Sequence, residues 1–249
     1  RITSRRSQEN NVIEPKTFDI ECTGYSVKAD WYEMGSTDEI ILSLIGWTSN
    51  RKKYNDILSA VCTKTGQSAL VFDYSGHGDS PFDVTQTRPA QHFLEVICVF
   101  DWLKEKHPNA KITVMGTSYG GYLATQLTKY RTFDNLVLRV PAIYKPSDFY
   151  TLNGEINSDE GWAAKDAFRR DVEGLSRHPL LGRASNFKGK TLVVVHENDE
   201  QVPKETTDAF INAFKADVYI ARSFPHSIYN QPKEKIAEYQ TAISDWLNQ

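Results

Sequence analysis

The chain has 249 residues, of which 40% are hydrophobic and 24% charged, and its formal net charge is −3. These values are ordinary for a globular protein and fit the size of a single α/β domain. Nucleic-acid binding needs basic residues that neutralise phosphates, and a membrane span needs about 18 consecutive apolar residues. Because the sequence contains neither a basic stripe nor such a run, we expect a soluble protein without a nucleic-acid partner.

The N-terminal segment and the cysteines bear on location. The segment Arg1–Lys16 is polar and lacks the apolar middle of a signal peptide. Because the chain begins with Arg rather than Met, a trimmed N-terminal signal stays open as an alternative. Cys22, Cys62 and Cys98 show no CxxC spacing or histidine clustering, and their number is odd. These features argue against a zinc site and a disulfide framework. We therefore expect buried, reduced thiols and a cytoplasmic protein.

The first elements predict strands. Thr17–Cys22 and Tyr25–Tyr32 alternate apolar and polar residues around Thr23-Gly24, which predicts an antiparallel hairpin at a sheet edge. Six apolar, β-branched runs follow, and such runs suit strands that are buried on both faces of a parallel sheet. The runs are Ile40–Ile45, Ala69–Tyr74, Ile112–Met115, Leu136–Val140, Leu192–Val195 and Val218–Ile220.

Amphipathic stretches between these runs predict helices. Phe93, Ile97, Phe100 and Leu103 recur at three- and four-residue spacing and give one apolar face. The predicted helices are Tyr54–Thr65, Arg88–Lys106, Tyr119–Tyr130, Lys204–Phe214 and Lys233–Leu247. The alternation predicts one doubly wound, mostly parallel α/β domain over residues 1–249. Residues 142–190 are too long for a simple connection, and we expect them to form an inserted cap.

The segment Gly116–Gly121 reads GTSYGG and lies between a predicted strand and a predicted helix. A sharp turn there holds the Ser118 hydroxyl clear of the sheet, and only small residues fit beside it at Gly116 and Gly120. The N-terminus of the following helix favours developing negative charge. We predict Ser118 as a nucleophile.

A serine hydroxyl needs a base that takes its proton. On a strand–turn–helix scaffold of this kind, an acid and then a histidine follow the serine along the chain. His178, His196 and His226 follow Ser118. Only His226 lies after the last predicted strand, where its loop opens at the carboxyl edge of the sheet beside Ser118. We predict His226 as the general base.

The acid is expected to leave the strand before His226. The loop after Leu192–Val195 offers three carboxylates, Glu197, Asp199 and Glu200. Asp199 comes just before the predicted start of a helix.

Four motifs in order resemble the α/β-hydrolase superfamily of esterases and lipases, over residues 18–249. Along the chain they are DYSGHGDS at 73–80, the GTSYGG turn at 116–121, NDEQVP at 198–203 and PHS at 225–227. The first resembles the family's D-x-x-G-x-G-x-S turn, and the third its D-x-x-V-P acid loop. The resemblance implies an α/β-hydrolase fold and a catalytic triad of Ser118, Asp199 and His226.

The resemblance also implies an oxyanion hole made by two backbone N–H groups, those of Tyr119 and Trp47. Trp47 lies in Ile45-Gly46-Trp47, which is similar to the family's His-Gly-aromatic segment. Ile45 stands where a histidine is common, and His196 stands where the acid loop usually has glycine. Neither departure removes a catalytic group.

His77 and Asp79 are residue types that bind metals, but they lie in a tight glycine turn without a second ligand cluster. We interpret His77 as local packing and expect no metal. No motif indicates a cofactor.

These residues predict that Ser118 forms an acyl-enzyme, which water then hydrolyses. The cap carries both aromatic and charged residues, and it resembles the insertion of small carboxylesterases of the feruloyl type more than a lipase lid. This favours a small-molecule ester with a small or medium acyl group. Four aromatic residues of the cap are expected either to wall the acyl pocket or to form the cap's own core: Phe149, Tyr150, Trp162 and Phe168.

Two alternatives stay open. A peptidase, amidase or thioesterase would use the same triad, and no motif reports the leaving-group protonation that amide cleavage needs. A non-catalytic binding module on the same fold is the second alternative, because a fold does not determine function.

Overall fold

The computed structural model describes residues 13–22 and 24–249. The first twelve residues, including most of the polar segment discussed above, and Thr23 of the predicted turn lie outside the described residues. Eight strands, numbered along the chain, form one sheet: β1 Lys16–Cys22, β2 Tyr25–Tyr32, β3 Glu39–Leu44, β4 Ser68–Phe72, β5 Lys111–Thr117, β6 Asn135–Arg139, β7 Lys190–His196 and β8 Asp217–Ala221.

The strand order is β1-β2-β4-β3-β5-β6-β7-β8. β1 and β2 pair antiparallel, as the hairpin prediction requires, and β2 continues antiparallel to β4. All pairs from β4 to β8 are parallel. The predicted fold class, a mostly parallel α/β-hydrolase sheet, is confirmed.

Eight α-helices accompany the sheet in the described part of the chain. They are α1 Asn55–Thr65, α2 Pro89–Lys106, α3 Tyr119–Leu127, α4 Asn153–Ile156, α5 Asp159–Arg170, α6 Val172–Ser176, α7 Lys204–Phe214 and α8 Lys233–Leu247. α2 begins with proline, whose fixed φ suits the first helical position. Its apolar face is buried at Phe93, Val96, Phe100 and Leu103. None of these helices is long and apolar enough to cross a membrane.

The predicted cap, residues 142–190, contains α4, α5 and α6 together with two 3₁₀ turns, Pro146–Tyr150 and Leu181–Asn186. Its first three residues, Ala142, Ile143 and Tyr144, are buried in the hydrophobic core. The segment that follows β6 therefore belongs to the main body before the chain turns into the cap helices.

The cysteines correct the expectation of reduced thiols. Cys22 at the end of β1 and Cys98 in α2 form a disulfide, with their Cα atoms 5.9 Å apart, inside the usual range for such bonds. Cys62 is free, and burial raises its thiol pKa to about 12. The sequence concealed the pair because 76 residues separate its members. Since disulfides persist mainly in oxidising compartments, the cysteines no longer argue for a cytoplasmic location.

The parallel strands end at one edge of the sheet, and the loops that follow them meet there. The loops after β3, β5, β7 and β8 carry the residues predicted for the oxyanion hole, the nucleophile, the acid and the base. This is the edge at which open α/β sheets bind their ligands.

Candidate active site

Ser118 lies on the sharp turn between β5 and α3, with φ 51° and ψ −112°. A non-glycine residue at positive φ is strained, and such strain is common at functional sites. A Cβ at Gly116 would collide with the Gly120 backbone, and one at Gly120 would collide with the Leu44 carbonyl. The small residues predicted beside the serine are therefore required by close backbone packing.

Backbone hydrogen bonds hold the turn in place. The Ser118 N–H donates to the Arg139 carbonyl at 2.8 Å, and the Ala142 N–H donates to the Ser118 carbonyl at 3.0 Å. The turn is thus tied to the end of β6 on both sides of the serine. This bonding helps to sustain the strained conformation.

The side chains of Ser118, His226 and Asp199 form one continuous chain of contacts. His226 Nε2 lies 3.1 Å from Ser118 Oγ, and its Nδ1 lies 2.8 Å and 2.9 Å from the two Asp199 carboxylate oxygens. The Asp199 side chain is 4% exposed and that of His226 13%. With Nδ1–H donating to Asp199, the Nε2 lone pair faces the serine hydroxyl, which is the arrangement that a general base needs.

The loop of Asp199 holds its carboxylate in place. Asp199 Oδ1 accepts hydrogen bonds from the N–H groups of Gln201 and Val202, both at 2.8 Å. The neighbouring carboxylates serve the backbone instead, because Glu197 accepts from the Ser223 N–H and Glu200 from the His226 N–H. Of the three candidate acids, only Asp199 contacts the imidazole.

The residues predicted for the oxyanion hole lie in and beside the turn Gly116–Gly121, which we call the elbow. Tyr119 is the first residue of α3, a position whose N–H has no partner within the helix. Trp47 lies in the loop after β3, and its ring is 5.7 Å from the Tyr119 ring. Among the backbone hydrogen bonds of the described loops, turns and helix ends, neither N–H acts as a donor. Both groups therefore lack a protein acceptor among those contacts, as the prediction of an oxyanion hole requires.

His77, interpreted from the sequence as local packing, also hydrogen-bonds to the loop that follows β3. Its Nε2 accepts a hydrogen bond from the Thr48 N–H at 3.2 Å, while its Nδ1 lies 3.2 Å from the Ser75 carbonyl, to which it donates. Burial lowers the pKa of His77 and keeps the ring neutral. Thr48 has φ 55° and follows Trp47 directly. His77 thus holds the loop that presents the Trp47 N–H.

A second buried histidine, His92, contacts Tyr119, the other residue predicted for the oxyanion hole. His92 Nδ1 accepts from the Tyr119 hydroxyl at 2.8 Å, and its Nε2 donates to the Ser75 carbonyl at 3.0 Å. Burial and the nearby His77 ring lower the pKa of His92 to about 3. His77 and His92 therefore both donate to the same carbonyl, that of Ser75.

Replacing His77 by phenylalanine is expected to lower kcat for the ester hydrolysis predicted from the sequence by about tenfold, a fraction of the 10²–10³ that removal of an oxyanion donor costs. The ring volume remains, but the acceptor that holds Thr48 is lost. His77→Gln, which restores an acceptor, should recover most of the rate. Steady-state kinetics and melting temperatures of both variants check this. Equal rates for the two folded variants would contradict it.

Asp79, weighed above as a metal-type residue, is part of an ion-pair cluster. It lies 2.9 Å from both Arg51 and Lys52, which lower the pKa of its carboxyl. Arg51 also contacts the buried Asp30 and Asp73. Asp73 further accepts from the Asp79 N–H at 3.1 Å. Asp73 and Asp79 of the DYSGHGDS turn therefore have structural roles in this cluster.

A cavity of about 520 Å³ lies above Ser118 and His226. Of the four aromatic residues expected to wall it, Trp162 is part of its lining. Phe149 lies outside and packs on Phe93, with ring centroids 5.9 Å apart, and Phe168 contacts the His178 ring. Tyr150 is 73% exposed. The lining therefore takes one aromatic side chain from this group.

The sequence interpretation missed three cavity residues: Arg139, Lys165 and Arg169. Each is buried, with 3–4% exposure, and each lines the cavity. Their identity as cations was visible in the sequence, but nothing in the pattern of α5 indicated that Lys165 and Arg169 turn inward.

Comparisons with known proteins identify the family of this chain. Residues 35–165 match the family model described as Hydrolase_4, serine aminopeptidase S33. Lysophosphatidylserine lipase ABHD12 of Gallus gallus is 32% identical over 105 residues, which are 40% of this chain and 26% of the relative. The alignment thus spans about a quarter of that relative's length.

Solved structures share the fold. The Pyrococcus furiosus esterase Pf2001 superposes with a TM-score of 0.68 at 19% identity, covering 99% of this chain and 96% of the esterase. A Pyrococcus horikoshii acylaminoacyl peptidase superposes with a TM-score of 0.67 at 15% identity, covering 95% of this chain and 41% of the peptidase.

The family model covers more than half of the chain, including the elbow at Ser118 and the start of the cap. The eight-stranded sheet and the position of the elbow are those of the α/β-hydrolase superfamily. The chain therefore belongs to the Hydrolase_4 (serine aminopeptidase S33) family and is an α/β serine hydrolase.

Proposed function

We propose that this protein hydrolyses carboxylic esters with small or medium acyl groups, through an acyl-enzyme on Ser118. The observation that carries the proposal is the unbroken contact from Ser118 Oγ through His226 to Asp199. The relatives support an ester substrate by their names, since one is a lipase and another an esterase.

In the first half of the proposed reaction, Ser118 Oγ attacks the ester carbonyl while His226 Nε2 takes the hydroxyl proton. Asp199 keeps the proton on Nδ1 and stabilises the imidazolium that forms. The oxyanion accepts hydrogen bonds from the N–H groups of Trp47 and Tyr119, and each such donor contributes about 10²–10³ to the rate. His226 then returns the proton to the departing alkoxide.

In the second half, water attacks the acyl-enzyme. His226 again takes a proton, this time from the water, and gives it to Ser118 as the acid product leaves. No cofactor has a step in this scheme. The seated Asp199 carboxylate orients His226 in both halves.

The charges of the cavity favour an ester over the N-terminal peptide substrate that the family name suggests. An aminopeptidase has to bind a positively charged α-amino group, for which a carboxylate is the usual partner. Asp56 is the acidic residue of the described lining, whereas four basic residues line it: Lys53, Arg139, Lys165 and Arg169. Peptidase or thioesterase activity with the same triad is the second candidate.

A panel of 4-nitrophenyl esters of graded chain length, with an aminoacyl 4-nitroanilide beside it, tests the proposal. We expect turnover of the short and medium esters and little release from the anilide. A fluorophosphonate probe should label Ser118 and no other serine. Preferred cleavage of the anilide would identify a peptidase, and an unlabelled Ser118 without turnover would identify a binding module.

Replacing Trp162 by alanine is expected to shift the preferred acyl chain length by about tenfold in relative kcat/KM, the range for one or two methylenes in an apolar pocket. The change removes cavity wall at a side chain that is 38% exposed, so the melting temperature should move little. Phe149→Ala, outside the lining, is the matched control. Its ring packs on Phe93, and its loss should reduce stability without altering the preference. The reverse pattern would remove Trp162 from the pocket.

A further inference from the structure

Buried cations of the active-site cavity lack the partners that buried cations usually have. Arg139, Lys165 and Arg169 are 3–4% exposed and line the cavity that contains Ser118. Lysine and arginine are rarely fully buried unless they are paired with an opposite charge. Among the described residues, none of the three forms an ion pair within 4.0 Å of a carboxylate.

Neutral groups surround these cations instead. Lys165 Nζ donates to Asn157 Oδ1 at 2.7 Å and lies 3.6 Å from the centroid of the Trp162 ring. Arg169 donates from Nε to the Ile143 carbonyl and from Nη1 to the Gln201 carbonyl, at 3.2 Å and 3.0 Å. These contacts satisfy individual protons, but none of them is to a carboxylate.

The two cations of the cap also face each other's charge. Lys165 and Arg169 are one turn apart on α5, and both lie over the ring of Tyr144, at 5.5 Å and 5.2 Å from its centroid. Like charges at this spacing destabilise a helix. Burial, and then the Arg169 charge, lower the pKa of Lys165 to about 7. The fold keeps this repelling pair at the cavity wall rather than in solvent.

The carboxylates whose charges act on the pair hydrogen-bond to other residues. Asp199 is bound to His226, and Asp148, whose charge raises the Lys165 pKa, accepts from the Lys145 N–H. The ring of Tyr144 links the pair to the elbow, because it lies 5.7 Å from the Tyr119 ring. An anion beside Lys165 would lie in the same cavity as Ser118.

We propose that Lys165 and Arg169 bind an anionic group, a carboxylate or a phosphate, carried by the ester that Ser118 attacks. This inference rests on the proposed ester hydrolysis and adds the charge class of its substrate. Lys165 donates directly, since only one of its three ammonium protons has an acceptor among the contacts of the described residues. Arg169 adds charge and, through its two carbonyl contacts, ties α5 to the loops of Ile143 and Gln201.

Competition against a neutral ester tests the site without depending on which side of the ester carries the anion. Hydrolysis of 4-nitrophenyl butyrate is measured with increasing butyl phosphate, hexanoate or butanol. We expect competitive inhibition by at least one anion, at least tenfold stronger than by butanol. The stronger anion identifies the group as phosphate or carboxylate. Inhibition by both anions that is no stronger than by butanol would overturn the proposal.

Variants locate the effect. Lys165→Met should raise the inhibition constant of the preferred anion by about 10- to 100-fold, the range for one lost charge-assisted hydrogen bond. The constant is measured in each variant against that variant's own turnover of 4-nitrophenyl butyrate. Lys165→Gln, which keeps a donor for Asn157, should act similarly and serves where the methionine variant folds poorly. Arg170→Gln is the matched control, because Arg170 is an exposed residue of α5 paired with Asp166. It changes the net charge equally and should leave the inhibition constant unchanged.

The outcomes separate this inference from the function on which it rests. If the wild-type protein hydrolyses 4-nitrophenyl butyrate but the inhibition constant is unchanged in Lys165→Met, the anion site alone is overturned. An equal loss in Arg170→Gln also overturns it, since the effect would then come from net charge. Absence of ester turnover and of fluorophosphonate labelling overturns the proposed function, and the anion-bearing ester with it.

Discussion

Replacing Ser118 by alanine is expected to lower kcat for ester hydrolysis by about 10⁴- to 10⁶-fold while the protein stays folded. The Ser118 Oγ atom forms the bond to the acyl group in the proposed reaction. No other described side chain lies at hydrogen-bond distance from His226 Nε2. Alanine keeps the backbone of the turn, where φ is 51°, so the effect should be chemical rather than structural.

Steady-state kinetics on 4-nitrophenyl butyrate, with a melting curve of each variant, check this expectation. Ser227→Ala is the matched control because that serine lines the same cavity beside His226, and its rate should stay within about threefold of wild type. Near-normal turnover by Ser118→Ala would refute the assignment. Attention would then pass to Ser75 and Ser80, which hydrogen-bond to Glu95 and to the Asp73 carbonyl.

Replacing Asp199 by asparagine is expected to lower kcat by about 10⁴-fold. The amide has nearly the volume of the carboxylate, but its NH₂ group donates to Nδ1 and places the imidazole proton on Nε2. His226 then has no lone pair for the Ser118 proton. Asparagine also fails to stabilise the imidazolium that forms during attack.

Glu197→Gln and Glu200→Gln are the controls for this loop. Each glutamate accepts one backbone hydrogen bond, from Ser223 or from His226, and glutamine keeps an oxygen for that purpose. Both variants should lose less than about tenfold. If Glu200→Gln were as damaging as Asp199→Asn, the acid that matters for His226 would have to be assigned anew within this loop.

Much of the sheet was predictable because burial on both faces imposes a local pattern. The run Leu192–Val195 lies inside β7, and the predicted helix over 204–214 has the bounds of α7. The helix predicted over 119–130 ends earlier, at Leu127, where the chain continues in turns. Ends of helices depend on single capping contacts, and sequence patterns define them less well than their apolar faces.

Order along the chain was sufficient to nominate Ser118 and His226, because the fold delivers the loops after successive strands to one edge. The resemblance to the α/β-hydrolases added Asp199. The structure brings those three side chains into contact. It also selects among neighbours that composition left equal, since Glu197 and Glu200 bind backbone N–H groups rather than the imidazole.

The sequence by itself determined the strand–helix alternation, the elbow at Ser118 and the loops that reach it, because each depends on residues that are near one another in the chain. Only the tertiary structure decided the Cys22–Cys98 bond, the hydrogen bond from the Thr48 N–H to His77, and the burial of Lys165 and Arg169 in the cavity wall. Each of these depends on partners that are distant in sequence. A charged residue in an amphipathic helix is normally expected in solvent, and only the packing of α5 over the cavity places these two cations in the lining that Ser118 shares.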